Sequence, residues 1–231
     1  MARHQSSGNS GKTFEYVAHY VATVATIIPR LGQLLDTAGS LAGFRLWARG
    51  QGNVKVFRCR EDLWAHAILP RLADEKQGTV VEFGVAFGEG MRWWTDRLNS
   101  PDVRFFGFDR FMGLPRSWRD MPAGAFATGG EPPVIVDSRV EWVVGDLEDT
   151  LGTFNWESLT GPKVFMFDVD LFGVSKRCFD CVLPYLRTGD IVYFDEAFDA
   201  DERTLINDVL IPTDQFEILA ISPLGVAYLY R

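Results

Sequence analysis

The chain has 231 residues, 47% hydrophobic and 23% charged, with a formal net charge of −8. That length accommodates one large domain, or one domain with an added helical segment. The acidic balance argues against a partner gripped through phosphates, so no nucleic acid is expected; it suits a soluble enzyme with a small-molecule substrate. Three cysteines make no disulfide framework and point to a reducing, cytoplasmic setting. Cys178 and Cys181 form a C-x-x-C without a second pair or nearby histidine, and read as two thiols one turn apart in a helix.

At the N-terminus, Ser7 to Thr13 ends in Gly-Lys-Thr, but Ser6 stands where a phosphate loop needs its first glycine and no strand precedes it. The apolar run Val17 to Ile28 contains His19 and stops at Pro29, short of the roughly 20 residues of a membrane span. It is also badly placed for a signal peptide. No membrane partner is expected. A helix packed on the main domain or on a second copy is, and with it a homo-oligomer. The helical pattern continues from Phe14 to about Ala73, with breaks near Pro29, Gly39 and Gly50–Gly52. Residues 1–77 are therefore expected to be an N-terminal helical segment, acting as a lid or an oligomer contact.

After Gly78 short β-rich runs alternate with helical or irregular stretches. The strands are expected at Thr79–Phe83, Arg104–Phe108, Val140–Val144, Lys163–Phe167, Ile191–Phe194, Phe216–Ile221 and Val226–Tyr230. The first five are nearly continuous apolar runs, as in parallel strands buried on both faces. Helices fit at Met91–Leu98, Ser175–Leu186 and Asp201–Leu210. The last two strands are joined by Ser222-Pro223-Leu224-Gly225, short enough for a hairpin. The expected fold of residues 78–231 is α/β: a doubly wound, seven-stranded Rossmann-like sheet whose last strand is antiparallel. The long connection from Phe111 to Asp137, rich in Gly and Pro with Trp118 and Phe126 inside it, reads as a partly buried flap.

The most informative stretch is Val80 to Gly90, a buried strand ending in Glu82 and followed by Gly84, Gly88 and Gly90. Glycine tolerates left-handed backbone and lets a ligand approach the main chain, so this turn is a candidate nucleotide or nucleoside pocket. Its spacing, E-x-G-x-x-x-G-x-G, is not the dinucleotide G-x-G-x-x-G. It resembles the first motif of class I S-adenosylmethionine-dependent methyltransferases, with Glu82, Gly84, Gly88 and Gly90 as cofactor-binding candidates.

Each central strand also ends in an acid. Asp109 lies roughly 20 residues past the turn, where an acid accepts hydrogen bonds from ribose hydroxyls. Asp146 follows the third strand, Asp168 and Asp170 the fourth, Asp195 and Glu196 the fifth. Any one of them has a plainer role as a helix N-cap. Four carboxylates from two adjacent strands would repel one another without a cation, and an all-oxygen ligand set suits Mg²⁺.

The segments Gly107-Phe108-Asp109-Arg110-Phe111-Met112-Gly113-Leu114-Pro115, Phe167-Asp168-Val169-Asp170-Leu171-Phe172 and Phe194-Asp195-Glu196 resemble the macrocin O-methyltransferase family. Those enzymes are metal-dependent and methylate sugar hydroxyls of natural products. The resemblance spans about Gly78 to Phe198. It implies S-adenosylmethionine and a divalent metal as cofactors, with Asp168, Asp195 and Glu196 as metal ligands and Asp170 as catalytic base. It places Asp109 on the ribose and Asp146 near the adenine, with Asp168 lying beside the cofactor as well as the metal. The chain departs from the family at Phe172, usually Tyr, and at Glu196, often Asp.

The function expected is O-methylation of a small-molecule hydroxyl. The competing readings are a methyltransferase-like binding or assembly module without catalysis, a NAD-dependent oxidoreductase on a related sheet, and a metal-free methyltransferase whose acids only position an amine.

Overall fold

The computed structural model describes residues 17–19, 21–24, 26, 28–73, 75–118, 121–169, 172–210 and 213–231. Residues 7–13 and Asp170 lie outside these, as do parts of 17–28. The chain divides into two compact units, Met1–Ser40 and Leu41–Arg231. Among the described residues no helix is long and apolar enough to cross a membrane.

Helix α1 spans Pro29–Gly50 and is followed by a two-residue strand, β1, Lys55–Val56. Next come α2 (Arg60–Leu63), a π-helical turn (Trp64–Ile68) and α3 (Leu69–Ala73). The strands that follow are β2 (Gln77–Phe83), β3 (Asp102–Asp109), β4 (Val140–Val144), β5 (Lys163–Phe167), β6 (Ile191–Phe194), β7 (Phe216–Ile221) and β8 (Val226–Tyr230). The sheet order is β1-β7-β8-β6-β5-β2-β3-β4. Every pairing is parallel except those of β8, which runs against both β6 and β7.

The expected doubly wound sheet with an antiparallel last strand is present, and the seven expected strands lie within it. An eighth, β1, extends the edge: Lys55 and Val56 pair with Ala220 and Ile221 of β7. Two residues are too few to show a period in a sequence that reads as helical around them.

Side chains alternate between two apolar layers. Val81, Phe83, Phe108, Phe165, Phe167, Val192 and Phe194 face one layer, shared with Phe44 of α1 and with Phe179 and Val182 of α6 (Phe172–Val182). Val80, Phe105, Val164, Met166, Ile191 and Tyr193 face the other, with Trp64, Leu72, Met91 and Trp94. Burial on both faces is why these strands read as unbroken apolar runs. Trp94 is fully buried and Trp93 packs beside it, as core residues rather than ligand platforms.

Helix α4 is Glu89–Thr95, α5 is Leu147–Thr150 and α7 is Ala200–Leu205. All three expected helices differ at their ends; the one expected over Met91–Leu98 starts at Glu89 and stops at Thr95. The one expected to reach Leu186 stops at Val182 and tightens into a 3-10 turn, Leu183–Tyr185, because Pro184 has no N–H to continue the ladder. The one expected over Asp201–Leu210 is α-helical only to Leu205, then widens into a π-helical turn, Ile206–Leu210.

Candidate active site

The parallel strands all end on one edge, and the order reverses at β2, which has β3 on one side and β5 on the other. A crevice of about 790 Å³ opens there, within the roughly 300–1,000 Å³ of small-molecule sites. Of the site residues expected from sequence, Glu82, Gly84, Gly90, Asp109, Asp146, Asp168, Asp195 and Glu196 line it. Gly88 does not, and Asp170 lies outside the described residues.

The three glycines serve close approaches within the chain. At Gly84 (φ +82°) an added Cβ would collide with the backbone carbonyl of Asp168, so this glycine lets the exits of β2 and β5 touch. At Gly88 (φ +76°) it would lie 2.7 Å from Cγ of Pro133, in the long connection. At Gly90 it would strike the carboxyl of Glu82.

On the β3 flank, Asp109 is held by the main chain. Its Oδ2 accepts the N–H groups of Val85 and Ala86 at 2.9 and 2.8 Å, and its Oδ1 accepts the N–H of Phe111 at 2.7 Å. Ala86 (φ 47°) and Phe111 (φ 57°) both adopt left-handed backbone that non-glycine residues avoid. Asp109 thus clamps two strained turns, the one after β2 and the one after β3. Asp146 caps the start of α5 in position and pairs with Arg110 at 3.1 Å. The long connection folds back on itself: Phe111 O accepts from the N–H groups of Thr128 and Gly130, and Leu114 N–H donates to Ala125 O. Leu114, Pro115 and Phe126 line the crevice, whereas Trp118 does not.

Glu82 is 5% exposed and its Oε2 has no hydrogen-bond partner. Burial pushes its pKa up to about 8; the Arg60 charge opposes this, while Asp195 and Asp109 add to it. Burial thus keeps this carboxyl mostly protonated at pH 7.

The β5/β6 flank contains a residue that the sequence analysis did not single out. Arg60, the first residue of α2, places its guanidinium between the strand-end acids. Its Nη1 lies 2.7 Å from Asp195 Oδ2 and 3.8 Å from Asp168 Oδ2, and its Nη2 lies 3.8 Å from Glu89 Oε2. Burial works against that charge, yet Asp195 and Asp168 outweigh it and raise the Arg60 pKa. The other oxygen of Asp195, Oδ1, accepts the hydroxyl of fully buried Tyr193 at 2.6 Å. The Tyr193 pKa is raised by burial and by that neighbouring charge. Tyr193 stands only two residues before Asp195, whereas the Arg60–Asp195 contact spans 135 positions and belongs to no local motif.

The expected metal set of Asp168, Asp195 and Glu196 is not assembled. Among the described residues no group of three or more His, Cys, Asp or Glu side chains converges as a metal site. The Arg60 guanidinium lies between the first two acids. The described donors, as placed, offer a divalent ion no converging set.

No protein-family model matches the chain, and no curated protein matches it in sequence. Solved structures do. CalS11, a calicheamicin methyltransferase, is 26% identical over 74% of this chain and 79% of its own, with a TM-score of 0.59. A second structure of CalS11, described as a TDP-rhamnose 3'-O-methyltransferase, is 26% identical with a TM-score of 0.52. The O-methyltransferase NovP, 18% identical with a TM-score of 0.59, shares the fold. The class that fold and crevice define is the class I S-adenosylmethionine-dependent methyltransferase. Within it, the structures this chain resembles are O-methyltransferases of the macrocin type, as the strand-end motifs led us to expect.

Proposed function

We propose that the chain transfers a methyl group from S-adenosylmethionine to a hydroxyl of a small molecule, a sugar or another natural product. The observation that carries this reading is the crevice at the sheet's switch point. It has a clamped glycine turn and Asp109 on one side and an acid-rich flank on the other. The likeness to CalS11 supports it. The comparisons favour neither a NAD-dependent oxidoreductase nor a binding module without chemistry.

The residues present fit the cofactor. The β3 flank, with Asp109 and Asp146, would take the adenosine, and the partnerless Oε2 of Glu82 offers an acceptor at the floor. When bound, S-adenosylmethionine supplies a methyl group on a good leaving group. The protein's part is to align an acceptor oxygen with it, and alignment of this kind is worth about 7–11 kcal/mol. Leu114, Pro115 and Phe126 line that space and would shield a bound acceptor from water. The acceptor hydroxyl gives up its proton to a carboxylate at the β5 end, with Asp170 the base proposed from sequence. Among the described residues no donor set converges on a divalent ion, so no step is drawn through the metal expected from the resemblance.

Thermal unfolding tests the proposal. S-adenosylhomocysteine should raise the melting temperature and NAD should not, since a ligand that binds only the native state stabilises it. Stabilisation by NAD alone would refute it. We also propose a homo-oligomer, supported by exposed apolar residues such as Leu34 and Leu46; a monomeric mass in light scattering would remove that part.

A further inference from the structure

Four carboxylates surround Arg60 within 4 Å: Glu61, Glu89, Asp168 and Asp195. A flexible surface arginine would wander among such partners. This one is fixed through a closed ring of contacts. Its guanidinium carbon sits 5.2 Å from the ring centroid of Trp64, one turn along the same helical segment. Trp64 meets Tyr193 edge-on, with ring centroids 5.7 Å apart. Tyr193 donates its hydroxyl to Asp195 Oδ1, and Asp195 Oδ2 receives Arg60, which completes the ring. Trp64 and Tyr193 are buried core residues, and Asp195 is 8% exposed. Both oxygens of Asp195 are therefore committed, one to a phenol and one to a guanidinium.

An acid pair of this kind needs a counter-charge, and there are two ways to supply one. A divalent ion on Asp195 would have to take Oδ2 from Arg60, stranding that guanidinium in a half-buried place. An arginine already satisfies the charge with directional bonds and keeps its own charge at every physiological pH. We propose that Arg60 is the built-in cation of this acid cluster. It positions Asp168 and Asp195 at the reacting end of the crevice and replaces the divalent ion on which the resembling family depends. The inference rests on the methyltransferase reading above for the identity of the reacting end, while the cation site stands on the contacts alone.

The test uses Mn²⁺ as the probe, with the purified full-length chain and its Arg60→Ala, Arg60→Gln and Arg60→Lys variants, followed by electron paramagnetic resonance and calorimetry. The wild-type chain and Arg60→Lys should show no saturable Mn²⁺ binding at millimolar ion. Arg60→Ala, or Arg60→Gln if the alanine protein does not fold, should bind at least about tenfold more tightly, because the uncovered acids need a new cation. Micromolar Mn²⁺ binding by the wild type, lost in Asp195→Asn, would overturn the proposal by showing that a metal displaces the arginine. A folded Arg60→Ala that takes up no more Mn²⁺ than the wild type would overturn it too. S-adenosylhomocysteine should stabilise the wild-type chain with or without EDTA. If it gives no stabilisation at all, the methyltransferase reading fails, whatever the Mn²⁺ result.

Discussion

The two flanks of the crevice are held by different means. On the β3 side Asp109 is gripped by three backbone N–H groups, two of them in the glycine turn that follows β2. On the β5/β6 side Asp195 is gripped by two side chains, Tyr193 and Arg60, the second from a helix far away in sequence. Backbone bonds fix the shape of the turn. Side-chain bonds fix a charge distribution, and that is where one chain can differ from its structural relatives.

Breaking either flank should have graded consequences. The largest is expected at the seam between them. Gly84→Ala forces a Cβ into the Asp168 carbonyl at a left-handed position. Strained backbone and overpacking together should cost about 4 kcal/mol, read as an earlier urea midpoint or as loss of soluble protein. A near-native midpoint would show that β2 and β5 do not touch there.

Asp109→Ala should follow, at about 3 kcal/mol, because three donors lose a charged acceptor at once. S-adenosylhomocysteine affinity should fall with it, since the turn loses its clamp. Unchanged affinity in calorimetry would mean that the glycine turn keeps its shape without Asp109.

On the other flank Asp195→Asn leaves Arg60 facing a neutral amide. The pair is partly open, with Arg60 30% exposed, so the loss should be about 2 kcal/mol rather than the 3–5 of a sealed pair. S-adenosylhomocysteine should still bind. Equal loss of cofactor affinity in both aspartate variants would erase the distinction between the flanks.

Glu82 lies between the flanks and supplies a pH signature. Its folded pKa, about 8, is above the ordinary carboxyl value of 4.5, so the native state keeps a proton that the unfolded chain gives up. Its contribution to stability is therefore full in acid, falls as pH rises through that window, and is level above it. Glu82→Gln should remove this slope, and denaturation curves of variant and wild type should diverge as pH rises from 4.5 to 8. Parallel curves would show that Glu82 ionises freely. The smallest effect is expected from Arg110→Ala, whose exposed pair with Asp146 should cost less than about 1 kcal/mol in a urea midpoint.

Much of the fold was legible because burial on both faces leaves an unmistakable apolar run. Val140–Val144, Lys163–Phe167 and Ile191–Phe194 have in the structure the bounds read from sequence. The glycine turn was legible as a turn, but its glycines answer to Asp168, Pro133 and Glu82, neighbours that no local pattern reveals. The acids at the strand ends were legible for the same reason as the strands, since each closes an apolar run. Their counter-charge was not. Arg60 sits in a stretch whose periodicity says only "helix", and the strand-end acids it meets, Asp168 and Asp195, arrive more than a hundred residues later. A charge count at the crevice shows that a cation is required; it does not show which one.

The most direct test is a crystal structure of the wild-type chain with S-adenosylhomocysteine. The account predicts the adenosine beside Asp109 and Asp146, the sulfur turned toward Asp168, and Arg60 still seated on Asp195. A ligand bound away from this crevice, or lying in it in the reverse direction, would contradict the account.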